Sequence, residues 1–117
     1  TPGMDRRGPT ALIQSVTRVD SRVFPADFCL DLMLIPAAVS GEEGLAAMRG
    51  LLETYFSRHG LALNINVFDA AQLERAIEHP EEHEGLQVRV CGWNARFNDM
   101  EKREQDAYIA RAQHLAD

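Results

Sequence analysis

The chain has 117 residues, 45% of them hydrophobic and 26% charged, and a formal net charge of −6. That length holds one domain or part of one, with a modest core. The acidic balance argues against nucleic acid or an anionic membrane as partner, and no basic cluster with interleaved aromatics overrides it. No apolar run is long enough to span a bilayer and no signal peptide is visible, so a cytoplasmic location is expected. Two cysteines, Cys29 and Cys91, make neither a disulfide framework nor a zinc site, and a reducing setting follows.

Residues 1–11 carry loop chemistry in Pro2, Gly3, Gly8 and Pro9. Thr1-Pro2-Gly3-Met4-Asp5 reads like the interior of a longer protein. Leu12, Ile13, Val16 and Val19 follow helical spacing, which predicts a short helix. Asp20 to Pro25 reads as a loop. Phe28 to Ile35 reads as a strand, with Phe28, Leu30, Leu32 and Leu34 on one face and Cys29, Asp31, Met33 and Ile35 on the other. Cys29 is expected in the core, and Pro36 ends the strand.

Ser40-Gly41-Glu42-Glu43 has the form of a capping box, which predicts a helix start. Leu45, Met48, Leu52, Tyr55, Phe56 and His59 recur at three- and four-residue steps and predict one apolar face. Gly50 inside this helix costs about 1 kcal/mol against alanine, so a close packing contact is expected there. Gly60 is placed to end the helix in the left-handed conformation.

Leu61 to Val67 alternates, with Leu61, Leu63, Ile65 and Val67 facing one way and Ala62, Asn64 and Asn66 the other. Asn64 and Asn66 read best as members of a structural polar network. Asp69 caps a predicted helix from Ala70 to His79 that carries Leu73, Ala76 and Ile77, and Pro80 closes it. His79 and His83 are four apart in an acidic loop, but Pro80 breaks the helix that would align them, so no metal site is expected. A last helix is predicted over 101–114 with Tyr108, Ile109 and Ala112 on its apolar face and Asn98 or Asp99 as its cap.

Leu86-Gln87-Val88-Arg89-Val90 reads as a strand running into Cys91-Gly92-Trp93-Asn94-Ala95-Arg96-Phe97, taken as a loop. Pattern alone makes Gly92 a turn glycine. The order β-α-β-α-β-loop-α indicates an α/β or α+β piece.

Arg89-Val90-Cys91-Gly92-Trp93 is similar to the glycine-radical signature of the pyruvate formate-lyase-like glycyl radical enzymes: Arg, a β-branched residue, a small residue, Gly, an aromatic. Other blocks resemble the family in the same order. They are Gly8-Pro9-Thr10-Ala11 with Ser15-Val16, Gly41-Glu42-Glu43-Gly44-Leu45 with Tyr55-Phe56, Leu63-Asn64-Ile65-Asn66-Val67, and Leu73 with His79-Pro80-Glu81. The first two look more like the dehydratase and lyase branch than formate-lyase itself.

The resemblance implies a C-terminal slice of a ten-stranded α/β barrel, with 1–67 resembling the end of the barrel wall and 68–117 the radical-loop region. It implies Gly92 as radical carrier, with Arg89, Val90, Cys91, Trp93, Arg96 and Phe97 as radical-loop neighbours. Arg89 and Arg96 would hold the loop in its socket or dock a partner, Trp93 would shield the radical, and Cys91 would be a small packing residue. No bound cofactor is implied; the group is a protein-derived glycyl radical. It is installed by a separate activase that uses S-adenosylmethionine and an iron–sulfur cluster, and handed to a thiyl cysteine that neither Cys29 nor Cys91 supplies. An anaerobic cytoplasm, the remainder of the barrel or a larger lyase subunit as partner, and a homo-oligomer are further implications. Two other readings stand beside this one: a free-standing radical carrier that repairs a larger lyase, and a non-catalytic α/β interaction module.

Overall fold

A computed structural model describes residues 6–24, 28–90 and 92–116. The loop reading of residues 1–5, the end of the loop at Pro25 and the packing role expected for Cys91 lie outside the described residues. The first helix, α1, spans Gly8–Val16, with Pro9 in its first turn, where proline's missing N–H costs nothing. It starts earlier than its apolar spacing predicts and buries Ile13. The expected loop after it contains a 3₁₀ turn over Ser21–Val23, held by the Asp20 carboxylate accepting from the Arg22 N–H.

Strand β1 is Cys29–Leu34, helix α2 is Gly41–Ser57 and strand β2 is Ala62–Val67. The strands pair in parallel, from Cys29 opposite Ala62 to Leu34 opposite Val67. A parallel pair needs a crossover, and α2 is that crossover. Alternation along β1 sends its side chains into two different cores. Leu30 packs with Ile13 and Tyr55, beside Leu12, Val16, Leu51 and Leu63. Met33 packs on the other side with Phe68, Leu73, Ala76, Val88, Phe97 and Ala112. The β1–β2 pair is therefore a middle layer, with α1 and α2 on one face. Helix α3 (Ala70–Glu78), the strands β3 (Gln87–Val90) and β4 (Trp93–Arg96), and helix α4 (Lys102–Ala116) follow in chain order and supply the second core. Complete burial of a side chain such as Leu73 or Phe97 is worth about 1.5–3 kcal/mol.

Helix α2 departs from its expected face. Tyr55 is fully buried, whereas Leu45 and Phe56 are exposed and so is His59. The inward stripe runs through Gly44 and Tyr55, which are buried, and Met48, Leu51 and Leu52, which are half-buried. Ser40 makes no side-chain cap bond; its hydroxyl donates to the Ala37 carbonyl instead, because a 3₁₀ turn over Pro36–Val39 puts that carbonyl in reach. Gly50 has no close contact, and the tight glycine is Gly44, where a Cβ would collide with the Val39 backbone.

At the far end of α2, the left-handed residue is His59 (φ 67°), not Gly60. Gly60 is required for a different reason: the Tyr55 ring occupies the space its Cβ would take. The ring stays there because the Tyr55 hydroxyl donates to the Ala62 carbonyl at 2.8 Å. Asp69 caps α3 as expected, accepting from the Gln72 N–H at 2.6 Å. Asn98 and Asp99 do not cap α4. They lie in a 3₁₀ turn over Phe97–Asp99, and Gln105 ties that turn to the helix by donating to the Phe97 carbonyl at 2.9 Å.

Cys29 is exposed rather than in the core. It begins β1 on the face that carries Asp31, and Asn64 Nδ2 approaches its sulfur at 3.1 Å.

Candidate functional site

The stretch 93–96, expected to be loop, is a strand. β3 and β4 pair antiparallel, with Gln87 opposite Arg96, Val88 opposite Ala95, Arg89 opposite Asn94, and Val90 opposite Trp93. Gly92 thus lies between the two strands. Gly92 has φ +87°, a conformation that costs an L side chain and suits a two-residue hairpin connection. A Cβ on Gly92 would meet nothing within 4 Å. Space therefore does not demand glycine here; only conformation or chemistry does.

The hairpin is fixed at its base and open at its tip. Val88 (1% exposed) and Phe97 (0%) are sealed in the core with Met33, Leu73, Ala76 and Ala112. Val90 and Ala95 pack against the same cluster. The Phe97 N–H donates to the Leu86 carbonyl at 2.9 Å, which closes the open end of the hairpin. At the tip Gly92 is exposed, and Trp93 is 76% exposed. Among the described residues, Trp93 stands outside every core cluster. The cause is its place on β4: alternation points Ala95 inward and leaves Asn94 and Arg96 exposed, while Trp93 sits beyond the reach of the core.

Arg89, on β3, is half-buried. Its Nη1 donates to Asn94 Oδ1 at 3.0 Å, and its Nε reaches Asn64 Oδ1 at 3.4 Å. Asn64 Nδ2 in turn donates to Asp31 Oδ1 at 2.7 Å. Asn66 bonds the backbone of Arg89 twice, accepting from its N–H at 2.7 Å and donating to its carbonyl at 2.8 Å. The polar network expected of Asn64 and Asn66 is present, and it ends on the hairpin. Of the two arginines, Arg89 is tied into this network, and Arg96 lies exposed on the opposite strand.

An open cleft of about 440 Å³ runs between β2 and β3, lined by Asn64, Asn66, Phe68, Val88, Arg89 and Asn94 among others. Its amide and guanidinium groups can orient backbone and polar ligands. They do not form an acid–base pair at hydrogen-bonding distance. Among the described residues no cluster of His, Cys, Asp or Glu is arranged to hold a metal ion. His79 Nδ1 stands 3.8 Å from Glu81 Oε1 in an exposed pair. No helix among the described residues is long and apolar enough to cross a membrane.

Sequence reasoning missed β4 and the role of Asn94. The usual hairpin signal is Asn-Gly or Asp-Gly between alternating runs, and Cys91-Gly92 is neither. The available signal was the inward pair Ala95 and Phe97, which stand across from Val88 and Leu86.

Residues 1–98 match the glycine radical family. The chain is 35% identical to indoleacetate decarboxylase of Tractidigestivibacter scatoligenes over 99% of its own length and 13% of that protein. It is 35% identical to trans-4-hydroxy-L-proline dehydratase of Clostridioides difficile over 95% of its length and 14% of that protein. A solved structure concerned with 1,2-propanediol dehydration in Roseburia inulinivorans superposes with a TM-score of 0.84 at 38% identity, covering 93% of this chain and 14% of that one. The chain thus spans about one-seventh of the length of these relatives. Its mixed helix and strand architecture is that of a C-terminal slice of their α/β fold. The chain belongs to the glycine radical family, and it corresponds to the C-terminal region of the dehydratases, decarboxylases and formate-lyase-like proteins that make up the glycyl radical enzymes.

Proposed function

We propose that Gly92 is the residue that stores the radical. The observation that carries this reading is the position of Gly92 at an exposed hairpin tip, in a motif of family form, where nothing would obstruct a larger side chain. Loss of one hydrogen atom from Cα breaks the Cα–H bond and leaves one unpaired electron on that carbon. The amide nitrogen on one side donates to it and the carbonyl on the other withdraws. Both conjugate with the centre only if it is planar. A side chain would crowd that planar geometry against its own peptide groups, and glycine has none.

A separate activase that uses S-adenosylmethionine and an iron–sulfur cluster takes the hydrogen atom. Gly92 is later restored by a hydrogen atom from a cysteine thiol outside this chain, which becomes the thiyl that attacks substrate in lyase or dehydratase chemistry. Residues 1–67 then serve as the end of a barrel wall and 68–117 as the radical-bearing region. The remainder of the barrel is the partner that supplies the thiol and substrate pocket, and this segment alone does not turn over substrate. Reaction of carbon radicals with oxygen places the working protein in an anaerobic cytoplasm.

The test is electron paramagnetic resonance on the full natural polypeptide after anaerobic activation by a radical S-adenosylmethionine activase. A doublet from the single remaining Cα hydrogen is expected, and it collapses when glycine is supplied deuterated at Cα. No signal under conditions that activate a relative, or the same signal in Gly92→Ala, would overturn the assignment.

A further inference from the structure

The geometry points to Asn66 as the positioning residue that holds the Gly92 hairpin against β2. The inference deepens the radical-site reading and rests on it for its significance. Its structural basis is independent of the radical.

No backbone ladder joins the β1–β2 pair to the β3–β4 pair among the described residues. Asn66 supplies a substitute. Its primary amide presents one acceptor and one donor side by side, the pattern a neighbouring strand would present. The Arg89 N–H can only donate and its carbonyl can only accept, so the orientation of the amide is fixed by its partners. Both bonds are short, at 2.7 and 2.8 Å, and Asn66 is only 6% exposed.

The register of the hairpin explains why Arg89 is available. In an antiparallel pair, opposite residues alternate between those that bond each other and those whose N–H and C=O point outward. The outward groups of Arg89 go to Asn66, so Arg89 and Asn94 form the pair that does not bond through backbone. Side chains are closest in such pairs, which fits Arg89 Nη1 reaching Asn94 Oδ1. The Arg89 side chain thus braces β4 while its backbone is bound by β2. Asn66 acts through Arg89, three residues before Gly92, and touches no reacting atom.

A hairpin of two four-residue strands is marginal by itself. Its base is held by Val88 and Phe97 in the core. Nearer the tip, the Asn66 pair holds the outer edge of β3. Breaking it frees the tip without unfolding the base.

The experiment compares Asn66→Leu, which keeps bulk and loses both bonds, and Asn66→Ala in the full natural polypeptide. Hydrogen–deuterium exchange is followed in 86–97 and, as reference, in α2 and α3. Exchange in 86–97 is expected to quicken about tenfold or more, with the references unchanged. After activation, the spin signal is expected to form in both variants and to be quenched several-fold faster by a water-soluble thiol. Exchange in 86–97 within about twofold of the parent, or equal acceleration throughout the chain, would overturn the proposal. A parent protein that gives no spin signal sinks the radical reading, and the exchange data still decide the role of Asn66.

Discussion

Substituting Gly92 separates the two reasons a chain has for placing glycine there. At φ +87° an L side chain carries a conformational penalty of about 1–2 kcal/mol. No packing penalty adds to it, since an added Cβ meets nothing within 4 Å. Gly92→Ala should therefore remain folded and lose about 1–2 kcal/mol, against a typical domain stability of about 5–15 kcal/mol. Gly92→Asn should lose less, because asparagine enters the left-handed region more readily. Urea unfolding followed by circular dichroism measures both losses, and parallel spin measurements follow activation. If glycine serves only the turn, Gly92→Asn is close to silent in every assay. If it serves the radical, Gly92→Asn is nearly as stable as the parent and gives no doublet. A doublet of parental size in Gly92→Asn would refute the chemical reading. A stability loss above about 4 kcal/mol in either variant would refute the geometric one, since losses of that size signal a steric or burial defect.

Two other glycines give predictions of opposite sign. Gly60→Ala drives a methyl into the buried Tyr55 ring and should cost about 1–3 kcal/mol in chemical unfolding; an unchanged midpoint would show that the ring moves freely. Gly50→Ala, inside α2 with open space around it, should gain about 0.5–1 kcal/mol, and a loss would refute the open space at that position. Burial pushes the Tyr55 phenol above its ordinary value, with a smaller contribution from Cys29. A raised folded value means stability complete below the unfolded value of about 10 and lost as pH rises through the folded one. Unfolding midpoints should thus fall above pH 10, and Tyr55→Phe, which lacks the titrating group, should show a weaker fall.

The elements that were legible from sequence are those whose local signals agree with their packing. Asp69 before an apolar-periodic run gives α3, because the cap and the buried face of Leu73 and Ala76 point the same way. The alternation of β1 gives two faces, and each finds its own core. Failures occur where a specific contact, even one close in sequence, overrides a pattern rule. Ser40 and Glu43 satisfy the capping-box pattern, yet the Ser40 hydroxyl turns to Ala37. Gly60 satisfies the helix-stop pattern, yet its need for glycine comes from a ring five residues back. Asn64 and Asn66 were legible as a network, but their partners on β3 were not. No spacing in one strand states which backbone it will bind 23 residues later.

The hairpin concentrates these effects in one place. Arg89 carries the family signature, but its backbone engages Asn66 and its side chain engages Asn64 and Asn94. A residue can thus be fixed by the motif it belongs to and still act mainly on the strand beside it. The same division orders stability along the hairpin. Phe97 and Val88 are sealed, Arg89 is bound through polar groups that water can replace, and Gly92 and Trp93 stand in the open. Opening therefore costs least at the tip and most at the base. A stored radical needs that order, since hydrogen abstraction requires an accessible Cα and storage requires a covered one. With Trp93 three-quarters exposed, the described residues present Gly92 and leave it uncovered. On the proposed reading of Gly92 as the radical store, the cover is supplied by the remainder of the barrel, and the bonds that Asn66 makes hold the hairpin from the β2 side.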